Sequence, residues 1–148
     1  MFRGATALNL DAKGRLAVPS KHRDALYVQS DGRLVLTAHP HRCLLLYPQN
    51  AWEPIQQKVM SLPSLEKQAS LLQRLLVGFA EDIEMDSAGR LLVSHVLREF
   101  AGLEKQVMLV GQGSHFEVWS EEGWKQQLDQ ALGQGDNVLP AELGGFSL

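Results

Sequence analysis

The sequence predicts a mainly β protein with short helices, a β-rich α+β fold assembled from two copies of one short unit. Three observations carry that expectation. A segment recurs in order at a fixed offset, apolar runs of strand length lie between turn residues, and the composition is that of a chain able to bury a core. Of 148 residues, 45% are hydrophobic and 21% charged, a profile of folded rather than disordered chains.

The recurrence comes first because it decides how the elements are counted. Residues 11–18, DAKGRLAV, match residues 86–93, DSAGRLLV, at an offset of 75. Asp11, Gly14, Arg15, Leu16 and Val18 coincide with Asp86, Gly89, Arg90, Leu91 and Val93. Arg23 coincides with Arg98, and Leu34-Val35 with Leu109-Val110. Farther on the offset becomes 72 and pairs Tyr47 with Trp119 and Trp52 with Trp124. The expected organisation is repeat 1 over 1–62, a connecting helix over 63–77, repeat 2 over 78–132 and a poorly ordered tail over 133–148. A unit of about 60 residues buries only about 60% of its unfolded surface. The two copies are therefore expected to share one core as a pseudo-two-fold, barrel-like unit.

Each element of the unit has a local reason. ATALNL (5–10) alternates weakly and reads as a strand. DAKGR is a turn, since Asp11 can accept backbone N–H groups and Gly14 adopts positive φ without steric cost. LAV (16–18) resumes as a strand that Pro19 ends. Ser20 is placed to cap a short helix over 21–26. RLVLTA (33–38) and CLLLY (43–47) read as strands, followed by a helix with Asn50 as its cap and Pro54 near its first turn. Repeat 2 gives the same order: IEM, turn, RLLV, a helix near HVLREF, VMLVG, FEVW and a helix over 121–132. Between the copies, Leu65, Ala69, Leu72, Leu76 and Phe79 have helical spacing.

Charge is uneven along the chain. Residues 1–42 hold seven Lys and Arg against three Asp, a balance of +4, while the remainder holds seven against fourteen, −7. The overall −3 thus hides a basic first segment, and a local basic surface is what phosphate attraction requires. The single cysteine, Cys43, excludes an intramolecular disulfide. No run approaches the roughly 20 apolar residues of a membrane span, and the first residues lack a signal-peptide core of about 7–15 apolar residues. The expected setting is cytoplasmic. No G-x-S-x-G, Walker or G-x-G-x-x-G signature is present, and the expectation is a protein that is not an enzyme.

Opened by MFRG, the stretch DAKGRLAVPSKHR, its echo DSAGRLLV, and the later LLLYPQNAW, MLVGQGSHFEVW and EEGW resemble the MraZ family of bacterial transcriptional regulators over about residues 1–130. The resemblance implies two AbrB-type swapped-hairpin domains in one chain and a homo-oligomeric ring. It implies binding to tandem repeats of double-stranded DNA upstream of the family's own division and cell-wall gene cluster, generally as a repressor, at the nucleoid. From the residues themselves no cofactor, metal or membrane partner is expected.

On this reading Arg15 follows a hairpin tip that fits the major groove, where its guanidinium can meet guanine O6 and N7. Lys13 in the turn and Arg3 at the neighbouring strand start are the other candidate DNA contacts, with Lys21 and Arg23 as accessories. Asp11 and Arg15, like Asp86 and Arg90, also make sense as a hairpin-stabilising pair worth about 0–1 kcal/mol. Glu81, Asp82 and Glu84 crowd the second motif, so repeat 1 is expected to meet DNA and repeat 2 to build the hairpin or a subunit contact. Arg23 and Arg98 are expected to anchor their helices to acidic partners. His39, His41 and Cys43 would share a face on a strand and suit zinc, but no second ligand pair closes such a site. The alternative function is an AbrB-type oligomeric protein-interaction or antitoxin-like module with weak, sequence-blind DNA binding, for which Trp52, Trp119 and Trp124 would be anchors.

Overall fold

The computed structural model describes residues 1–146. Repeat 1 supplies β1 (Phe2–Asn9), β2 (Arg15–Ala17), α1 (Ser20–Ser30), β3 (Arg33–Ala38), β4 (Leu44–Pro48) and α2 (Gln49–Met60). The connecting helix is α3 (Lys67–Leu76). Repeat 2 supplies β5 (Glu81–Glu84), β6 (Arg90–Leu92), α4 (His95–Ala101), β7 (Gln106–Gly113), β8 (Phe116–Ser120) and α5 (Glu121–Gln134). The fold is β-rich α+β, with the sheet at its centre.

Six strands form one antiparallel sheet in the order β1-β7-β8-β4-β3-β5. Exchanging each strand for its counterpart in the other copy reproduces that order, so a pseudo-two-fold axis passes between β4 and β8. The outer strands are swapped: β1 lies on β7 of the other repeat, and β5 on β3. The sheet is open rather than barrel-like, with β1 and β5 as its edges. The reason is local. After each Asp-x-x-Gly turn the chain leaves the sheet, and the three-residue strands β2 and β6 pair with each other instead of closing it.

Strand parity assigns the two faces. Leu34, Leu36, Leu44, Leu46, Leu109, Phe116 and Val118 point toward the β2–β6 ribbon and helices α1 and α4, where they meet Leu16, Val18, Leu26, Leu91, Val93 and Leu97 in the main core. The alternate residues Val35, Leu45 and Tyr47 pack with Trp52 beneath α2 and α3. Cys43, Val110 and Trp119 make a third cluster next to Trp124 on α5. Trp52 and Trp119 are thus buried, whereas Trp124 is half-exposed.

Two expected caps are corrected. The N-cap positions of α1 and α2 are Pro19 and Pro48, with no side-chain cap bond, so Ser20 and Gln49 are the first helical residues. The proline ring fixes φ at −54° and −56°, ψ is extended near 140° in both, and α1 starts one residue and α2 two residues earlier than expected. In repeat 2 the cap is a serine as the chemistry favours, with Ser94 Oγ accepting from the Leu97 N–H at 3.3 Å. The tail through Phe146 contains two 3₁₀ turns, Gly135–Val138 and Ala141–Leu143. The last two positions of the tail expected to be poorly ordered lie outside the described residues.

Candidate nucleic-acid interface

The two Asp-x-x-Gly-Arg turns are built by their own side chains. Asp11 Oδ1 accepts the N–H groups of Lys13 at 2.9 Å and Arg15 at 2.8 Å, while Oδ2 takes Arg15 Nε at 2.7 Å. Gly14 closes the turn at φ 84°, and its N–H donates to the Asp11 carbonyl. Repeat 2 reproduces each bond. Asp86 Oδ1 accepts from Ala88 N at 2.9 Å and Arg90 N at 2.8 Å, and Arg90 Nε lies 3.0 Å from Oδ2. The backbone N–H of the arginine, followed by its guanidinium, holds each carboxyl below the usual range. In both pairs Nε faces the carboxylate, and the Nη edge makes no hydrogen bond among the described residues.

What the sequence did not reveal is the relation between these turns. In the β2–β6 ribbon Arg15 lies opposite Leu92, Leu16 opposite Leu91, and Ala17 opposite Arg90. Leu16 and Leu91 are buried in the main core. By alternation Arg15, Ala17, Arg90 and Leu92 share the outer face, and the two arginines are diagonal neighbours, about 7–8 Å apart at the backbone. The signal was present in the repeat, since Arg-Leu-Ala and Arg-Leu-Leu place their arginines at equal parity. Only the register joins them into one surface.

Each turn is clamped by the opposite copy. Val18 N–H donates to the Gly89 carbonyl at 2.8 Å, and Val93 N–H to the Gly14 carbonyl at 3.0 Å. Arg23 packs over Gly89 and Arg98 over Gly14, so closely that a Cβ at either glycine would meet the guanidinium. The expected acidic partner for these arginines is corrected: Arg23 Nε donates to the Val18 carbonyl at 2.7 Å, and Arg98 Nε is buried without a partner among the described residues. Tyr27 Oη donates to the Asp86 carbonyl and braces the second turn from α1.

The remaining candidates fall elsewhere. Lys13 is exposed in the first turn. Arg3 is exposed at the far end of β1, roughly 25 Å along the strand from Asp11 at about 3.3 Å per residue. Lys21 Nζ lies 3.4 Å from the position of a Cβ on Gly4, on the face of β1 opposite to Arg3 by strand alternation. The structure therefore separates the basic residues: Lys13 and Arg15 lie at the turn, while Arg3 and Lys21 lie far from it on opposite faces of β1. Glu81, Asp82 and Glu84 lie on the edge strand β5, with Arg33 opposite Glu84. Residues 39–42 form the β3–β4 hairpin turn, with Arg42 at φ 65°, so His39, His41 and Cys43 do not line one face of a strand. Burial pushes the Cys43 thiol up to about 12. Among the described residues no helix is long and apolar enough to cross a membrane.

Comparison with known proteins agrees with this architecture. The family model described as "MraZ protein, putative antitoxin-like" matches twice in tandem, over residues 1–75 and 76–136. The chain is similar to proteins named transcriptional regulator MraZ. The relative from Methylobacillus flagellatus is 74% identical over 148 residues, covering all of both chains. Those from Azoarcus sp. and Nitrosomonas europaea are 57% and 55% identical, again over all of both chains.

Proposed function

The chain belongs to the MraZ family, and from that premise we propose that it is a sequence-specific, double-stranded DNA-binding transcriptional regulator. It acts as a repressor of its own gene and of the downstream division and cell-wall cluster. It binds tandem upstream repeats as a homo-oligomeric ring, in the cytoplasm at the nucleoid.

One observation carries the reading: a two-stranded ribbon whose outer face presents Arg15 and Arg90, each steered by an aspartate that leaves the Nη edge without a hydrogen-bond partner among the described residues. A two-stranded ribbon fits the major groove, and a guanidinium edge suits guanine O6 and N7. Arg15 is the principal base contact, with Lys13 beside it on phosphate or base. Arg90 is accessory. Arg3 meets the backbone at a second point and Lys21 is an accessory contact, while Arg23 serves the fold through Val18. Phosphate contacts set register and base contacts set preference.

So few basic residues hold a long site only through repetition. Linked binding events raise avidity without new contacts. The exposed apolar side chains Leu128 and Leu132 on α5, a helix without a fully buried residue, are compatible with subunit contacts. About three phosphate contacts on each of about four protomers give a salt slope near about −11, at roughly −0.9 per contact. The test is a gel shift with the native upstream fragment across a salt series, wild type against Arg15→Ala. The expected result is steep salt dependence and loss of sequence preference in the variant with its oligomer intact. Affinity indifferent to salt, or unchanged in Arg15→Ala, overturns the reading.

A further inference from the structure

The ribbon face that carries the two arginines also carries an apolar side chain with no structural task. Leu92 is 52% exposed and belongs to none of the hydrophobic clusters. It stands directly opposite Arg15, at a cross-strand spacing of about 4.5–5.5 Å. Its counterpart under the pseudo-two-fold axis is Ala17, which stands opposite Arg90. The four outward positions thus form two corners: Arg15 with a leucine, and Arg90 with an alanine.

Resting on the DNA-binding reading above, we propose that Leu92 is a specificity-determining residue that packs against the C5-methyl group of a thymine next to the base read by Arg15. In the major groove only thymine offers a methyl group, and apolar side chains recognise it by contact. A leucine held one cross-strand step from a guanine-reading arginine is placed for a neighbouring base pair. Alanine at position 17 lacks leucine's isopropyl group and leaves the Arg90 corner without an equivalent reach. A ribbon with two identical corners would read an inverted repeat. The Leu92–Ala17 difference gives the face a direction, which suits sites arranged head to tail.

The experiment uses the full-length protein and a random-duplex library. The wild type is taken through selection, and each thymine of the preferred site is then replaced by deoxyuridine, which removes the methyl group alone. The expected result is that one such replacement beside a guanine weakens the wild type about fourfold, the worth of one buried carbon at about 0.8 kcal/mol. Leu92→Ala is expected to be indifferent to that replacement, while Leu92→Met keeps the penalty. Ala17→Leu is expected to add methyl sensitivity at a second, inverted position. The proposal is overturned if Leu92→Ala keeps the full methyl penalty or if no thymine methyl matters to the wild type. It is overturned equally if Leu92→Ala changes the oligomer on size exclusion, which makes the leucine a subunit contact. Failure of the underlying reading looks different: no sequence is enriched, or Arg15→Ala binds the selected site as well as the wild type does.

Discussion

The turns at 11–15 and 86–90 have the same hydrogen bonds, with lengths agreeing within a few tenths of an ångström, yet their surroundings differ. Repeat 1 places Lys13 in the turn and Thr6, Ala7 and Asn9 on the strand before it. Repeat 2 places Ala88 in the turn and Glu81, Asp82 and Glu84 on its strand. Turn geometry is therefore carried by the aspartate, glycine and arginine themselves. Affinity for an anion is expected to depend on the variable positions around them. The largest expected effect follows from this difference. Losing a bidentate base contact costs about 1–3 kcal/mol per protomer, and both Arg15→Ala and Arg90→Ala weaken DNA binding. Arg15→Ala is expected to weaken it more, because the strand before the Arg90 turn carries three carboxylates and that turn has Ala88 in place of a lysine. Fluorescence anisotropy at fixed salt, with the oligomer checked, measures the ratio. Equal losses would break the comparison.

The second difference concerns what holds each turn. Gly14 and Gly89 both have positive φ, at 84° and 76°, where a side chain costs about 1–2 kcal/mol. A Cβ on Gly14 would lie 2.9 Å from the Arg98 guanidinium, whereas one on Gly89 would lie 2.2 Å from Arg23 Nε. Arg23 is tied to the Val18 carbonyl and cannot give way as Arg98 can. Gly89→Ala is expected to destabilise by about 2–4 kcal/mol and Gly14→Ala by about 1–2 kcal/mol. Urea midpoints of the two variants decide this, and a larger loss at Gly14 would reverse the assignment of the stiffer clamp.

Much of this was legible in the sequence because the turns are local chemistry. Asp11 and Gly14 sit within a few residues of what they bond, so spacing alone exposes them. The pairing of β1 with β7 joins residues about a hundred positions apart, and no local pattern encodes it. The same holds for the β2–β6 register, which puts Arg90 beside Arg15 and sets Leu92 on the face. Arg3 separates from the turn because β1 runs straight for eight residues, a length the weak alternation of 5–10 understated. The caps at Ser20 and Asn50 failed for a local reason. A proline occupies each N-cap position, so the helices begin before Ser20 and Asn50 can act as caps.

The two clamping arginines make a smaller contrast. Replacing Arg23 with Met keeps the packing bulk but deprives the carbonyl of the buried Val18 of this donor, at an expected cost of about 1–3 kcal/mol. Arg98→Met removes an N–H that is buried without a partner among the described residues and is expected to be neutral or mildly stabilising. Denaturant melts of both variants separate a working clamp from a tolerated one. A loss at Arg98 as large as at Arg23 would show that its packing over Gly14 matters more than its unmet donor.

The smallest expected effect lies where the repeats differ inside the core. Leu97 on α4 is fully buried, and its counterpart on α1 is His22, packed against the rings of Phe2 and Phe116. Burial, helped by the positive charge of Lys21, holds the His22 pKa below its ordinary 6.5. The unfolded chain therefore takes up this proton first. Stability is expected to fall as pH drops through 6.5 toward the lower native value, and to level off below it. His22→Leu gives repeat 1 the side chain of repeat 2 and is expected to flatten that part of the profile. A residual slope remains, because burial depresses His39 and His115 in the same direction. Urea midpoints from pH 7.5 to 5 compare the two proteins. If the variant keeps the full wild-type slope, the pH dependence belongs to the hairpin histidines rather than to the core beneath α1.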